Sequence, residues 1–149
     1  VSVGPFPVGD VIARLKAQVP ALKYVGNGAD LRAVTQNGPN VVPAAYVLVE
    51  EKGDKASVAT GGVVVQSVHA AVQVVMYVRN YAQEQTGAAA RKDMDQLMGA
   101  MRTALVGWKP TENFMQLTFM ANRDESYVAG LLCTQEIYRS QYRIQTTAP

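Results

Sequence analysis

Chemistry at a site needs nucleophiles, ligands or proton carriers at workable spacing, and this chain holds few. His69 and Cys133 are the only residues of their kinds and lie more than sixty positions apart. Neither has a partner at ligand spacing, so a zinc site or a Cys-His pair is not expected. His69 falls inside a long alternating segment and reads as a strand-face residue. Cys133 reads as a buried small hydrophobe, because no histidine or basic pair stands near it to activate a thiolate. Carboxylate pairs occur at Glu50-Glu51, Asp93/Asp95 and Asp124-Glu125. They fall on a loop edge, a helix flank and a turn, where solvated charge is the expected role rather than acid-base work. Gly26-Asn27-Gly28 and Gly61-Gly62 lack the strand, helix and spacing of a phosphate-binding loop and read as turns. No catalytic, cofactor-binding or metal-binding residue is therefore assigned, and no cofactor is expected.

What remains is a chemistry of contact. Tyr77, Arg79 and Tyr81 share one face of the long strand, a combination enriched at protein interfaces. The same pattern also suits a plain exposed or helix-covered sheet face.

The elements that must position these residues follow from periodicity. Val8, Val11, Ile12, Leu15 and Val19 keep helical spacing, with Arg14, Lys16 and Gln18 outside and Pro20 closing the helix. A short helical turn is read at Asp30 to Thr35, capped by Asp30, before Asn37-Gly38-Pro39 imposes a loop. Ala44 to Glu51 is rich in β-formers and reads as the first strand. The polar run from Glu51 to Gly62 then reads as a long connection. Val63 to Tyr81 is the second strand, with Val68, Ala70, Val72, Val74, Met76 and Val78 on one face and Ser67, His69, Gln73 and Tyr77 on the other. Thr86-Gly87 opens the strongest helix, whose stripe runs Ala90, Met94, Leu97, Met98, Met101, Leu105, Trp108 and stops at Gly107 and Pro110. Its methionines read as core filling rather than as a binding groove. Phe114 to Ala121 is the third strand, Asn122 to Ser126 a turn, and Tyr127 to Gln145 a last strand region whose apolar parity shifts, predicting a bulge or break. The fold class is α+β: a mostly antiparallel four-stranded sheet with two main helices on one face, in the order α-β-β-α-β-β, forming one domain over residues 1–149.

Composition agrees with a packed domain. The chain has 149 residues, 48% hydrophobic and only 17% charged, away from the signature of disorder. Such a length buries roughly two-thirds of the surface its unfolded form exposes. Fourteen basic and twelve acidic residues give a net charge of +2 with no basic block, which argues against nucleic acid as the main ligand. One cysteine makes no internal disulfide and suits a reducing cytoplasm. Val1 to Gly9 lacks the layout of a signal peptide. Ala56 to Val78 contains no Asp, Glu, Lys or Arg, but Gln66, Ser67, His69 and Gln73 interrupt it and valine dominates, so it reads as strand and not as a membrane span.

Several segments together resemble the tail terminator family of tailed bacteriophages, in the branch found in Mu-like phages and prophages. They are Val11-Ile12-Ala13-Arg14-Leu15-Lys16, Pro43-Ala44-Ala45-Tyr46-Val47-Leu48, and Val74-Val75-Met76-Tyr77-Val78-Arg79-Asn80. The clearest is Gly87-Ala88-Ala89-Ala90 leading through Asp95, Leu97 and the Arg102 region to Ala104-Leu105-Val106-Gly107-Trp108-Lys109-Pro110, similar to that family's helix and its glycine-tryptophan-proline exit. The segment Leu131-Leu132-Cys133-Thr134-Gln135-Glu136 departs from the aromatic and acidic character often seen before the family's last strand.

The resemblance implies a non-enzymatic virion protein that forms a ring of identical subunits, a hexamer, on the last ring of the tail tube. It implies that the ring ends tube polymerisation and joins the head-completion proteins at the neck after assembly in the host cytoplasm. The implied partners are further copies of itself, the tail tube protein, head-completion or connector proteins and, in a contractile tail, the sheath protein. No membrane and no sequence-specific nucleic acid is implied. A closed ring needs two different complementary patches. The candidate interface residues are Lys52, Asp54 and Lys55 in the connection and Tyr77, Arg79 and Tyr81 on the long strand. Another head-to-tail joining protein, adaptor or stopper, is the competing reading; a small α+β enzyme is a further one, for which no nucleophile with a neighbouring base is found.

Overall fold

A computed structural model describes residues 4–34, 38–59 and 61–146, with Glu125 described by its backbone alone. Three helices and six strands follow in the order α1 (Val8–Gln18), β1 (Tyr24–Asn27), α2 (Gly28–Arg32), β2 (Ala44–Gly53), β3 (Ser57–Val58), β4 (Val64–Arg79), α3 (Ala88–Leu105), β5 (Thr118–Val128) and β6 (Leu131–Thr146). The strands form one sheet in the order β1-β2-β4-β6-β5, with β3 beside β4. The β1–β2 pair is parallel, and the β2–β4, β3–β4, β4–β6 and β5–β6 pairs are antiparallel.

The strand with the cleanest alternation is the centre of the sheet. Val68, Ala70, Val72, Val74, Met76 and Val78 of β4 all point to one face and are buried. Against them pack Val11 and Leu15 of α1 and the α3 stripe Ala90, Met94, Leu97, Met98, Met101 and Leu105. Each of the larger of these side chains contributes about 1.5–3 kcal/mol on leaving water, and the methionines are core filling as read. At the exit of α3, Gly107 adopts φ 84°, a conformation glycine takes without steric cost. Its N–H bonds the Leu117 carbonyl at 2.8 Å, and the Trp108 carbonyl accepts from Leu117 N–H at 2.8 Å. Arg14 lies over the Trp108 ring and donates to the Ala104 carbonyl at 3.0 Å, tying α1 to the last turn of α3.

The sheet is larger than the four strands expected. Gly26 and Asn27, read as a turn, end strand β1, and the Asn27 side chain caps α2 by accepting from Asp30 N–H while Asp30 accepts from Asn27 N–H. The helical turn thus begins earlier than read, and Asp30 completes a capping box rather than being the cap; Thr35 and Asn37 lie outside the described residues. The connection after Glu51 is largely strand as well. β2 runs to Gly53, Asp54 N–H bonds the Ser67 carbonyl at 2.8 Å, and Ser57–Val58 resumes pairing on the same side of β4. One residue more on this side than on β4 marks an irregularity between Gly53 and Ser57.

The C-terminal pair also differs. β5 starts at Thr118, and Asn122 to Ser126 lie inside it rather than in a turn. The reversal is the two-residue loop Ala129-Gly130, with φ 51° and 81°, which matches the twist of a hairpin. β6 is unbroken; the irregularities fall in β5, between Phe119 and Ala121 and between Asp124 and Ser126. The apparent shift of parity arises because Thr134, Glu136 and Ser140 occupy buried positions on the same face as Tyr138 and Tyr142.

Candidate functional site

Helices α1 and α3 cover one face of the sheet. On the other, register sets residues in rows across β2, β4, β6 and β5: Ala44, Tyr77, Cys133 and Ser126; Tyr46, Val75, Gln135 and Arg123; Leu48, Gln73, Ile137 and Ala121; Glu50, Ala71, Arg139 and Thr118. Among the described residues, α2 and the loop from Gly38 to Val41 reach over one end of this face. Leu31 of α2 joins Leu48, Val75, Tyr77, Cys133 and Gln135 around a shallow depression of about 550 Å³. A polar network stitches the strands: Gln135 Nε2 donates to Gln73 Oε1 at 3.0 Å, and Arg123 Nε donates to Gln135 Oε1 at 3.0 Å. Tyr46 stacks edge-on with Tyr77 and at a tilt with Tyr24, and burial, then Tyr24 and Asp30, raise its phenol above the ordinary value.

The six candidate interface residues do not form one site. Lys52 is exposed on β2 opposite His69. Asp54 is tied down: its carboxylate meets His69 Nε2 at 2.7 Å and its carbonyl accepts from Gln66 at 2.6 Å. Lys55 is exposed beside it. Tyr77 stands eight residues further along β4, about 27 Å away at strand spacing. Arg79 ends β4 and lines a groove with Lys23, Asp93 and Gln96. Tyr81 lies past the strand, 62% exposed, beside Gly130, so it is not part of the strand face. The two groups sit at opposite ends of the sheet. Cys133, in the Tyr77 row, is equally far from His69, so the two are not brought together.

Pairing across strands reveals groups that sequence spacing does not. His69 Nδ1 lies 3.4 Å from Arg139 Nη2. Its two contacts together suit the imidazole that carries its proton on Nε2, donating to Asp54 and accepting from Arg139. Glu136 is fully buried and accepts from Arg102 Nε at 2.7 Å, Arg102 Nη2 at 3.0 Å, Asn122 Nδ2 at 3.0 Å and Tyr138 OH at 3.3 Å. Burial, followed by that carboxylate, raises the Tyr138 phenol far above its usual range. Arg102 also stands 4.3 Å over the Phe119 ring, so this charged residue beside the α3 stripe locks α3 to β5 and β6. Arg91 pairs with Asp124, and that hydrogen bond holds the Asp124 carboxyl below its usual value. Asp124 is thus a strand residue with a partner.

Both sheet edges differ. β1 offers four residues, flanked by α2. β5 offers eleven, with Phe119 and Met120 exposed along it, Met115 just before it and Val128 at its end. Such an edge is a natural site for another chain. Among the described residues no group of three or more His, Cys, Asp or Glu is placed to hold a metal ion, and no helix is long and apolar enough to cross a membrane.

A family model described as "Phage tail terminator protein" matches residues 1–148. Among solved structures, a chain of the "Virion of native gene transfer agent (GTA) particle" is similar at 17% identity, with a TM-score of 0.48, over 90% of this chain and 92% of that one. No curated protein matches the chain.

Proposed function

The chain belongs to the phage tail terminator family, and on that premise we propose that it assembles as a ring, a hexamer, on the last ring of the tail tube. The ring ends tube polymerisation and offers its other side to the head-completion proteins of the neck, with the sheath as a further partner where the tail contracts. The single domain of residues 1–149 is one ring subunit, and its chemistry is contact rather than catalysis.

What supports this reading is a sheet whose second face is covered at one end only, and which ends in two unlike edges, β1 and β5. A closed ring of identical subunits needs two different surfaces that meet head to tail. The exposed Met115, Phe119 and Met120 beside β5 supply an apolar anchor for one of them. Lys52, Asp54 and Lys55 at one end of the sheet and Tyr77, Arg79 and Tyr81 at the other then face different neighbours along the tail axis.

The test is light scattering across a wide concentration range, followed by mixing with polymerising tail tube protein and measuring tube lengths by electron microscopy. A discrete ring, or a monomer that still caps and shortens tubes, is expected. A monomer without effect on tube length refutes the reading and favours an adaptor on the portal side of the neck.

A further inference from the structure

At the β1 edge of the sheet, Tyr24 of β1, Tyr46 of β2, helix α2 and the segment from Gly38 to Val41 border a pocket of about 280 Å³. Val34, Pro39 and Val41 supply apolar wall, and Asp30 is the one charged residue among the described lining. Asp30 accepts from the Asn27 N–H at 2.9 Å but forms no ion pair with a described residue. Tyr46 is only 3% exposed, yet its hydroxyl has no hydrogen-bond partner among the described residues. Because no fully enclosed side-chain polar atom of those residues is left unbonded, that hydroxyl opens onto the pocket it lines. A phenol so deeply buried ordinarily finds a partner, which points to a group that enters from outside. Tyr24, 40% exposed at the mouth, leaves the way in open.

We propose that this pocket takes the guanidinium of an arginine side chain carried by a neighbouring chain. Charge selects the class, since a carboxylate with no cation against it attracts a positive group and repels an anion. Desolvation, then the Asp30 charge, raises the Tyr24 phenol above its ordinary value, as a negative local field does. Shape selects the guanidinium. The Tyr24 and Tyr46 rings stand 5.8 Å apart at 52° and offer faces on which a planar cation stacks. The Asp30 carboxylate and the phenol oxygens are acceptors, and a guanidinium brings five N–H donors in a fixed fork, where an ammonium brings a compact point charge. Size agrees with a single side chain. Drug-sized ligands and cofactors occupy roughly 300–1,000 Å³, and this pocket falls below that range. The inference goes beyond the ring reading and does not rest on it: the arginine belongs to a second copy or to a different protein, and the chemistry of the pocket is the same for both.

The test follows the Tyr24 and Tyr46 ring signals by NMR while the full chain is titrated with Nα-acetyl-arginine methylamide, with its lysine equivalent and with its citrulline equivalent, which keeps the shape of arginine without the charge. Saturable shifts are expected with arginine, with binding about threefold weaker or more for lysine and about tenfold weaker or more for citrulline. Asp30→Asn removes the charge and can keep both hydrogen bonds of the capping box; it is expected to weaken arginine binding about three- to fivefold. Asp10→Asn, at an exposed position of α1, is expected to change it by less than about 1.5-fold. Citrulline or lysine that binds as tightly as arginine overturns the proposal, as does an Asp30→Asn chain that binds arginine like the wild type. Light scattering and tube capping on Asp30→Asn then identify the source. Altered self-association assigns the arginine to a second copy, and altered capping with unchanged self-association assigns it to a different protein. No change in either overturns the assignment to a neighbouring chain. Failure of the wild type to cap tubes refutes the ring reading alone, because the titration involves no tubes.

Discussion

Replacing Arg102 by methionine tests whether the buried ion pair to Glu136 sets the position of β5. The carboxylate has no exposed surface, while the Arg102 side chain is 43% exposed. Removing one partner of a buried pair costs roughly 3–5 kcal/mol, because the other charge is left in a low-dielectric site. Here Asn122 and the Tyr138 hydroxyl still donate to Glu136, and water reaches the vacated position from the exposed side. The expected loss is therefore about 2–3 kcal/mol, or roughly 4–12 °C in melting temperature for a chain of this size. Urea denaturation followed by Trp108 fluorescence measures it. Glu136→Gln, which removes the charge and keeps the shape, is expected to cost about 1 kcal/mol. The double variant should then lie near Glu136→Gln alone, a coupling of about 1.5 kcal/mol or more. Additive losses, or an Arg102→Met protein as stable as the wild type, refute the argument that this pair holds α3 to the C-terminal hairpin.

Ala129→Asn relieves a non-glycine residue at φ 51° and is expected to stabilise by about 0.5–1 kcal/mol in thermal melts; a neutral or harmful effect refutes the hairpin geometry. Gly130→Ala goes the other way, by about 1–3 kcal/mol, since its Cβ would lie 2.9 Å from Tyr81 and 3.0 Å from the Asn80 carbonyl at φ 81°. Burial, then the hydrogen bond to Glu51, pushes the Tyr142 phenol up to about 12. A raised folded value means its contribution to stability is complete below the ordinary value of about 10 and is lost as pH climbs through 12. Alkaline titration by absorbance and melting should show this loss, and Tyr142→Phe should abolish that part of it. Lys52→Glu with Lys55→Glu should leave the melting temperature within about 1 °C and lengthen capped tubes; unchanged tube lengths remove these lysines from the contact.

The parts of the fold legible in the sequence are those with long, uninterrupted periodicity. α1, α3 and β4 each carry an apolar face with few exceptions, and their buried residues are those the spacing names. β1 and β3 are too short for alternation to register, and β1 carries a buried glycine where a turn is the ordinary inference. β5 was obscured by its own partners. Asn122, Arg123 and Asp124 look like turn residues in isolation, yet they face Glu136, Gln135 and Thr134 across the strand pair and are bonded there. The true reversal, Ala129-Gly130, lacks an Asn or Asp to announce it. Of the candidate site, Lys52, Asp54 and Lys55 were visible as local polar residues. His69, Arg139 and Arg143 were not visible as their neighbours, because register between distant strands assembles that corner.

The open face differs from a core waiting for a missing layer. Such a core would present a continuous apolar patch, which folded monomers rarely leave exposed. Here Leu48, Val75 and Ile137 alternate with Gln73, Gln135 and Arg123, and the two glutamines bond to each other across β4 and β6. Gln135 donates to Gln73 and accepts from Arg123, so the face stays ordered while remaining wettable. That is the requirement for a subunit that must be stable before it meets its neighbours and still have surface to give them. The same logic applies at Glu136. A buried carboxylate is a costly way to hold a strand, but its partners fix β5 from the helix side and leave its outer edge free for another chain.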